Sequence, residues 1–320
     1  MTTQDNIYGK VDIKELVLLE LMNTPSMLRL KKISQFGIPD KYYHFKNFDR
    51  YEHSVGVMLL LRKLGADLEE QVAGLLHDVS VLAFSHITDW VFGQGREGKE
   101  DYHDSIHDTF IKNTEIPSIL AKYNFDLQRV SDLDNFSLLE KSSPDLCADR
   151  VDYALREFKY WFNPKIVDNC VVGLTNFNGE IVFNNPESAY NFANGFLQLQ
   201  MQHWGGFGAV MRYHLFSNAL KVALDKGYIS ESDFYKDEDF ISDKVEKAKD
   251  KEIDQVLADL KAGNLEKYKN NFGQKVIKKF RYVDPKVKQS NNLKRLSELK
   301  SEFLKLIEEN KEINQRGVMI

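Results

Sequence analysis

The chain has few of the features that mark secreted or membrane proteins. Its 320 residues include two cysteines, Cys147 and Cys170, which are too few for a disulfide scaffold and favour a reducing compartment. The N-terminus has neither the basic region nor the apolar core of a secretory signal peptide. The longest uninterrupted apolar run, 55–61, is far shorter than the roughly 20 residues that a membrane-spanning helix needs. We therefore expect a cytoplasmic protein without a membrane partner.

An excess of positive charge is also missing. The formal net charge is −5, so nucleic acid is not an expected partner. The glycine-rich stretch 204–208 lacks the lysine and the hydroxyl of a phosphate-binding loop, which argues against a P-loop enzyme. The composition that remains is ordinary for a soluble protein. It is 42% hydrophobic and 28% charged, which is enough for a sizeable core.

Helical periodicity dominates the sequence. Apolar stripes, capping residues and glycine stops predict helices at 13–23, 25–37, 52–65, 67–80, 102–113, 144–160, 187–202, 208–226, 241–262 and 292–310. One stretch, 171–185, alternates around Asn178-Gly179, which is a strong signal for a two-stranded hairpin. The composition becomes more polar from about residue 229. We therefore predict an all-α fold with a small β-hairpin insertion at about 171–185, a main domain over 1–228 and a helical C-terminal extension over 229–320.

The apolar stretch LLHDVSVLAFSH (75–86) contains a histidine and an aspartate side by side, His77 and Asp78. Burying an unpaired carboxylate is costly, so this pair needs a partner. A divalent metal ion would neutralise the carboxylate and use the imidazole as a neutral ligand. Two adjacent ligands cannot complete such a site, so further ligands must come from other segments.

Two other helices carry ionisable groups among apolar residues. His53 begins the apolar helix 52–65 and follows Arg50 closely. Asp149 and Asp152 lie on one face of helix 144–160, because residues three apart share a helix face. These groups are the candidates for completing a metal site with the His77-Asp78 pair.

The order His53, His77-Asp78, Asp149 resembles the metal-binding signature of the HD-domain metal-dependent phosphohydrolases. Four longer strings are more specific than the HD dipeptide. NTPSMLRLKKISQFG, DRYEHSVGV, LLHDVSVLAFSH and ADRVDYALRE resemble the dNTP triphosphohydrolase branch, which includes the SAM-and-HD-domain dNTPases. This resemblance covers residues 8 to about 160. It implies an HD-domain helical fold for the main domain and hydrolysis of a phosphate ester or anhydride, most specifically of a dNTP.

The resemblance implies a role for each matching position. The implied ligands of one divalent ion, which could be Fe, Mn, Zn, Ni or Mg, are His53, His77, Asp78 and Asp149. The implied contacts to substrate phosphate and sugar are Gln35, Arg50, Arg150 and Tyr153. The implied catalytic group consists of His86 as general acid, Asp89 to hold it protonated, and a second phosphate-side histidine, His103.

One turn departs from the family pattern. Relatives have a histidine shortly after the HD pair where this chain has Val81, and both glycines of that turn are missing. Two alternatives to a triphosphohydrolase therefore remain. One is a phosphatase or phosphodiesterase acting on another phosphorylated metabolite, and the other is a nucleotide-binding sensor or scaffold with little or no turnover. The expected partners are a nucleotide or another phosphorylated small molecule, and copies of the chain in a homodimer or homotetramer.

Overall fold

The computed structural model describes residues 1–43, 48–93, 102–269, 271–290 and 292–320, without the side chains of 102–104. The described residues form seventeen α-helices, α1 to α17: Leu16–Met22, Pro25–Arg29, Asp40–Tyr43, Arg50–Lys63, Leu68–Leu76, Ile87–Val91, Tyr102–Lys112, Ile116–Lys122, Leu127–Ser131, Ala148–Trp161, Pro164–Gly173, Pro186–Leu199, Phe207–Asp225, Glu238–Ala248, Lys251–Ala262, Leu296–Leu299 and Ser301–Arg316. They also form eight short strands, β1 to β8: Thr2–Asp5, Gly9–Asp12, Leu174–Phe177, Glu180–Phe183, Lys275–Val276, Lys286–Gln289, Asn292–Arg295 and Val318–Met319. The predicted all-α class is confirmed. No helix in this part of the chain is long and apolar enough to cross a membrane.

Three helices bring the predicted ligands together. The Asp49 side chain caps α4 by accepting a hydrogen bond from the Glu52 amide, and Asp67 caps α5 in the same way. Helix α4 packs against both α5 and α10. His53 lies on α4, His77 lies directly after α5, and Asp149 lies in the first turn of α10. The packing of these helices therefore places the three side chains on one side of the core.

The predicted hairpin is confirmed and belongs to a larger sheet. Strands β3 and β4 pair antiparallel, and Asn178 and Gly179 between them have φ values of 54° and 82°. Positive φ at both turn residues is what a two-residue hairpin with type I′ geometry requires. Strand β6 pairs parallel to β4, and β7 pairs antiparallel to β6, so the sheet order is β3-β4-β6-β7. The helix predicted from residue 292 is wrong at its start, because 292–295 form β7.

Two further predicted helices are interrupted. The segment 241–262 contains a break at Lys249, which has left-handed backbone angles, and Asp250 caps the next helix by accepting from the Glu252 and Ile253 amides. This side chain competes with continued helix, which explains the break. The segment 25–37 is helical only to Arg29, continues as a 3₁₀ turn to Lys32, and leaves Gln35 in a loop.

Two hydrophobic clusters form the core. The larger one joins α1, α4, α5, α10 and α12, and it also includes Phe303 and Ile307 of α17. The second cluster contains residues of α13, α14 and α15, together with Phe84 and Trp90. Both clusters contain residues from each side of the predicted boundary at 228/229, and that boundary stays a prediction. The loop after the His77-Asp78 pair passes from the first cluster into the second.

Candidate metal centre

The four predicted metal ligands lie together at the meeting point of α4, α5 and α10. His53 Nε2 lies 3.0 Å from Asp149 Oδ1 and 3.7 Å from Asp78 Oδ2. His77 Nε2 lies 3.5 Å from Asp149 Oδ1 and 3.6 Å from Asp78 Oδ2. The ligand atoms of His53, His77 and Asp149 all lie within 4.8 Å of one another. Such spacing allows several of these atoms to contact one ion at bond lengths of about 2.0–2.2 Å.

Each histidine is oriented through its Nδ1 atom, which leaves Nε2 facing the group. His53 Nδ1 lies 2.8 Å from Asp152 Oδ2, and His77 Nδ1 donates to the Gly74 carbonyl oxygen at 2.8 Å. Such contacts fix the tautomer and leave Nε2 as the ring atom that would bind a metal. His77 Nε2 is buried and makes no hydrogen bond of normal geometry to any described residue. An ion in the group would satisfy this atom, so the residues present fit a divalent metal.

A buried ionic network supports His53 from behind. Asp152 accepts a hydrogen bond from Arg156 Nε at 2.7 Å, and Arg156 also contacts Asp5 at 2.7 Å and Glu52 at 2.8 Å. Helix α4 has glycine at position 56 beside this network. A Cβ there would lie 1.9 Å from Arg156 Nη2 and 2.3 Å from Asp152 Oδ1. The sequence places Asp152 on the correct helix face, whereas the contact between Asp5 and Arg156 has no local signal.

The charged groups of the site stabilise one another. Burial opposes the charge on Asp78, yet Arg50 and the two histidines hold the pKa of that carboxyl well below its usual range. Burial lowers the pKa of His77, but the carboxylates of Asp78 and Asp149 raise it to about 9. Burial also opposes the charge on Asp149, but the hydrogen bond from His53 and the nearby His77 imidazole hold the pKa of that carboxyl well below its usual range. The carboxylates are therefore held in the ionised form that metal binding requires, and a metal ion would displace the histidine protons.

Arg50 connects this group to a second loop. Its Nη1 donates to Asp78 Oδ2 at 2.6 Å, and its Nε donates to Ser85 Oγ at 3.1 Å. Ser85 Oγ in turn donates to the Ser34 carbonyl oxygen at 2.7 Å. Arg50 Nη2 is buried and has no hydrogen-bond partner among the residues that the structure describes. The guanidinium is thus fixed beside the candidate metal site with one nitrogen left for an anion.

The loop that carries His86 has an unusual backbone. Phe84 and Ser85 have φ values of 67° and 44°, a region that non-glycine residues rarely occupy. His86 Nδ1 lies 3.2 Å from Asp89 Oδ2, so the structure brings this predicted pair together. The His86 side chain is partly exposed and Asp89 is buried. Asp89 can therefore fix the tautomer of a histidine that solvent and ligands reach.

The turn between the HD pair and this loop is held by a side chain that sequence reasoning missed. Arg29 Nη2 donates to the carbonyl oxygens of Val79 and Val81 at 3.0 Å and 2.7 Å. Val81 is buried in the larger hydrophobic cluster. His107 Nδ1 lies 2.8 Å from Ser80 Oγ in the same turn. The valine that replaces the family's histidine thus packs in the core, while another histidine approaches the turn from α7.

The predicted substrate contacts are only partly gathered. Gln35 Oε1 is buried without a hydrogen-bond partner in the described ranges, and the Tyr153 ring lies 6.3 Å from that of His53. Arg150 Nη1 instead donates to the Lys141 and Asp145 carbonyl oxygens, which hold the loop before α10. His103 lies where side chains are not described.

A second group of potential ligands adjoins the first. The ligand atoms of Glu140, Cys147 and Asp149 lie within 4.8 Å of one another. Glu140 lies in the loop before α10 and Cys147 is the N-cap residue of that helix, and the motifs quoted above did not single them out. Burial and the neighbouring Asp149 raise the pKa of Glu140 to about 7. The candidate centre is therefore flanked by one further carboxyl group and a thiol on the α10 side.

Comparison with known proteins places these residues in a family. Residues 50–153 match the HD domain model. The chain is 35% identical over 297 residues to the uncharacterised protein YdhJ of Bacillus subtilis, covering 90% of this chain and 88% of that protein. It is 42% identical over 154 residues to metal-dependent phosphohydrolase cns2 of Cordyceps militaris, covering 48% of this chain and 44% of that protein. A shorter match, 34% identical over 105 residues, relates it to deoxynucleoside triphosphate triphosphohydrolase SAMHD1 of Bos taurus, covering 28% of this chain and 17% of that protein.

The fold has a counterpart among solved structures. A hypothetical protein from Aquifex aeolicus superposes with a TM-score of 0.65 at 20% identity, covering 95% of this chain and 93% of that chain. At this identity the likeness concerns the fold alone. The HD domain match runs from Arg50 to Tyr153 and contains all four candidate ligands. Together with the similarity over most of the chain to YdhJ, it shows that this chain belongs to the HD-domain family of metal-dependent phosphohydrolases.

Proposed function

We propose that this phosphohydrolase acts on a nucleotide, with dNTPs as the favoured substrates, and that His53, His77, Asp78 and Asp149 hold one divalent ion. The observation that carries the metal assignment is the buried His77 Nε2, which has no hydrogen bond among the described residues and faces two carboxylates. The dNTP assignment is supported by the four motif strings and by the short similarity to SAMHD1.

The phosphate would be bound between the metal centre and Arg50. A divalent ion at the centre supplies Lewis-acid polarisation of a phosphoryl oxygen and activation of a water molecule. Arg50 is held in place by Asp78 and Ser85, so its Nη2 can donate to a phosphate oxygen without reorganising. A planar guanidinium suits this role because it binds the carboxylate and the phosphate at the same time.

His86 would serve the leaving group. Asp89 can accept a hydrogen bond from Nδ1–H of this imidazole, which leaves Nε2 to exchange a proton with substrate. A positioned histidine of this kind can protonate the leaving oxygen as the bond to phosphorus breaks. Gln35 and Tyr153 would contact the sugar, and the buried Gln35 Oε1 can accept a hydrogen bond from a sugar hydroxyl.

Nucleotide binding without turnover is the second candidate function. The observation that favours it is the burial of Val81 in the hydrophobic cluster, because valine there cannot contact phosphate. The metal ligands and Arg50 are unaffected by this substitution. A protein of this type would still bind metal and nucleotide.

One assay separates the candidates. The purified protein is incubated with Fe, Mn, Zn, Ni or Mg and with a panel of dNTPs, NTPs, nucleoside monophosphates and cyclic nucleotides. We expect tripolyphosphate from dNTPs, and no product from Asp149→Ala. Inorganic phosphate from monophosphates, or cleavage of cyclic nucleotides, would instead assign a phosphatase or a phosphodiesterase. Binding of nucleotide without any product, whichever metal is supplied, would assign a sensor.

A further inference from the structure

A buried carboxylate on helix α14 contacts two loops of the candidate active site. Glu238 is the first residue of this helix and is 7% exposed. Its Oε1 accepts hydrogen bonds from the Ser34 amide at 2.8 Å, from the Ser34 hydroxyl at 2.8 Å and from the Phe84 amide at 3.3 Å. One oxygen atom thus joins the loop before Gln35 to the loop before His86.

These contacts continue to the metal centre through a chain of hydrogen bonds. Ser85 Oγ donates to the Ser34 carbonyl oxygen and accepts from Arg50 Nε. Arg50 Nη1 then donates to Asp78 Oδ2. Ser34 is therefore linked to Arg50 and Asp78 through the Ser85 hydroxyl. Glu238 holds the Ser34 amide and hydroxyl, in addition to the β-bridge between Ser34 and Asp49.

The loop needs such an anchor because its backbone is strained. A left-handed conformation is unfavourable at a residue other than glycine because Cβ crowds the following carbonyl oxygen, and Phe84 and Ser85 adopt positive φ in succession. Besides Glu238, the neighbouring segment holds this region through Phe234, whose carbonyl oxygen accepts from the Ala83 amide at 2.9 Å. Strained conformations of this kind persist only where surrounding contacts impose them.

We propose that Glu238 is a positioning residue of the active site. It holds Ser34 and Phe84 so that the strained loop presents His86 and keeps Arg50 against Asp78. This inference rests on the proposed function, because Arg50 and His86 touch substrate only in that function. Among the described residues, Glu238 makes its hydrogen bonds to Ser34 and Phe84 and none to a candidate metal ligand.

The first test compares kinetics of Glu238 variants with a matched control. Glu238→Ala removes the acceptor, and Glu238→Gln keeps an acceptor oxygen without the charge. Asp233→Asn is the control, since Asp233 is equally buried in the preceding turn but accepts from Ser230 N and Lys244 Nζ. With dATP and Mn²⁺ we expect Glu238→Ala to lose at least about tenfold in kcat with little change in KM, Glu238→Gln to lose less, and the control to keep its kcat within about twofold.

The second test needs no substrate, so it separates this inference from the proposed function. Amide hydrogen exchange across 83–88 in the metal-loaded protein should be faster in Glu238→Ala than in wild type and unchanged in Asp233→Asn, with equal metal content in all three. If Glu238→Ala does not fold, Glu238→Gln and Glu238→Asp replace it in both measurements. Unchanged exchange would overturn the inference, even if the wild type hydrolyses no nucleotide. Equal losses of kcat in the Glu238 variants and the control, in step with lost stability, would also overturn it.

Discussion

The contact between Asp152 and His53 leads to a quantitative prediction for Asp152→Asn. The Asp152 carboxylate lies 2.8 Å from His53 Nδ1, where it fixes the ring and increases the basicity of Nε2. Asparagine keeps the shape and one acceptor oxygen but loses the charge. Loss of a partner of this kind weakens metal binding about 10- to 100-fold, which corresponds to about 1.4–2.7 kcal/mol.

The same substitution should reduce stability only moderately. Arg156 loses one of its three carboxylate partners and keeps Asp5 and Glu52. A charge-assisted hydrogen bond contributes about 2 kcal/mol, so we expect a loss of that size in the free energy of unfolding, rather than the larger loss that follows when a buried charge is left unpaired.

The control for this prediction is Glu52→Gln. Glu52 accepts from Arg156 Nη1 but makes no hydrogen bond to His53 within the described ranges. The Glu52→Gln substitution should therefore reduce stability without weakening metal binding. Metal affinity is measured by chelator competition with Zn²⁺ or Mn²⁺, and stability by urea unfolding of the metal-free proteins. Wild-type affinity in Asp152→Asn, or an equal loss of affinity in Glu52→Gln, would refute the reasoning.

Four further predictions follow from the site and its surroundings. Arg50→Lys should lower kcat/KM by at least about tenfold, or about 1.4 kcal/mol, because lysine cannot hold Asp78 and a phosphate oxygen at once; unchanged steady-state kinetics would make Arg50 peripheral. Chelation should lower the melting temperature of the wild type in calorimetry but not that of Asp149→Ala, and identical behaviour of the two would argue against a metal at this centre. Burial raises the pKa of Glu157 from 4.5 to about 8, so ionisation opposes folding, and stability present at low pH is lost as the pH rises through this range. Urea unfolding at several pH values should therefore show that the wild type loses stability relative to Glu157→Gln between about pH 5 and pH 8. Trp204 fluorescence should change over the same pH range, because Trp204 Nε1 donates a hydrogen bond to this carboxylate. Light scattering tests the predicted homodimer or homotetramer, which a monomeric mass would contradict.

The parts of the site that could be predicted from sequence are those with a local signal. His77 and Asp78 stand out because they interrupt an apolar stretch, and Asp149 and Asp152 share a helix face three residues apart. The hairpin has its own turn signal at Asn178-Gly179. In each case the neighbouring residues alone show either an ionisable group among apolar side chains or a turn-forming pair, without knowledge of the tertiary structure.

The contacts that could not be predicted join segments that are distant in sequence. Glu238 starts an ordinary polar helix, and nothing in its neighbourhood distinguishes it from the exposed Asp239. Its burial arises only when α14 packs against loops about 150 and 200 residues earlier in the chain. Strand β6 is hairpin-paired with the adjacent β7, but its place beside β4 in the sheet is a distant contact between Phe183 and Val287. Tertiary packing decides both outcomes, and local propensity is too weak to indicate them.

At the turn that contains Val81, the local sequence and contacts with distant segments both determine the backbone path. Where the family pattern that the sequence resembles has two glycines, this chain has Ser80 and Leu82, so the backbone path cannot rely on the freedom of glycine. Arg29 binds the carbonyl oxygens of Val79 and Val81, and its Nη1 binds the Lys236 carbonyl oxygen at 3.1 Å. The turn is therefore held by contacts that also reach the segment before α14. The candidate metal ligands lie on α4 and α10 and next to α5, and among the described residues none of them makes a hydrogen bond or ion pair directly to this segment. It follows that changes in 234–238 should affect catalysis more than metal binding, whereas changes at His53 or Asp149 should remove both.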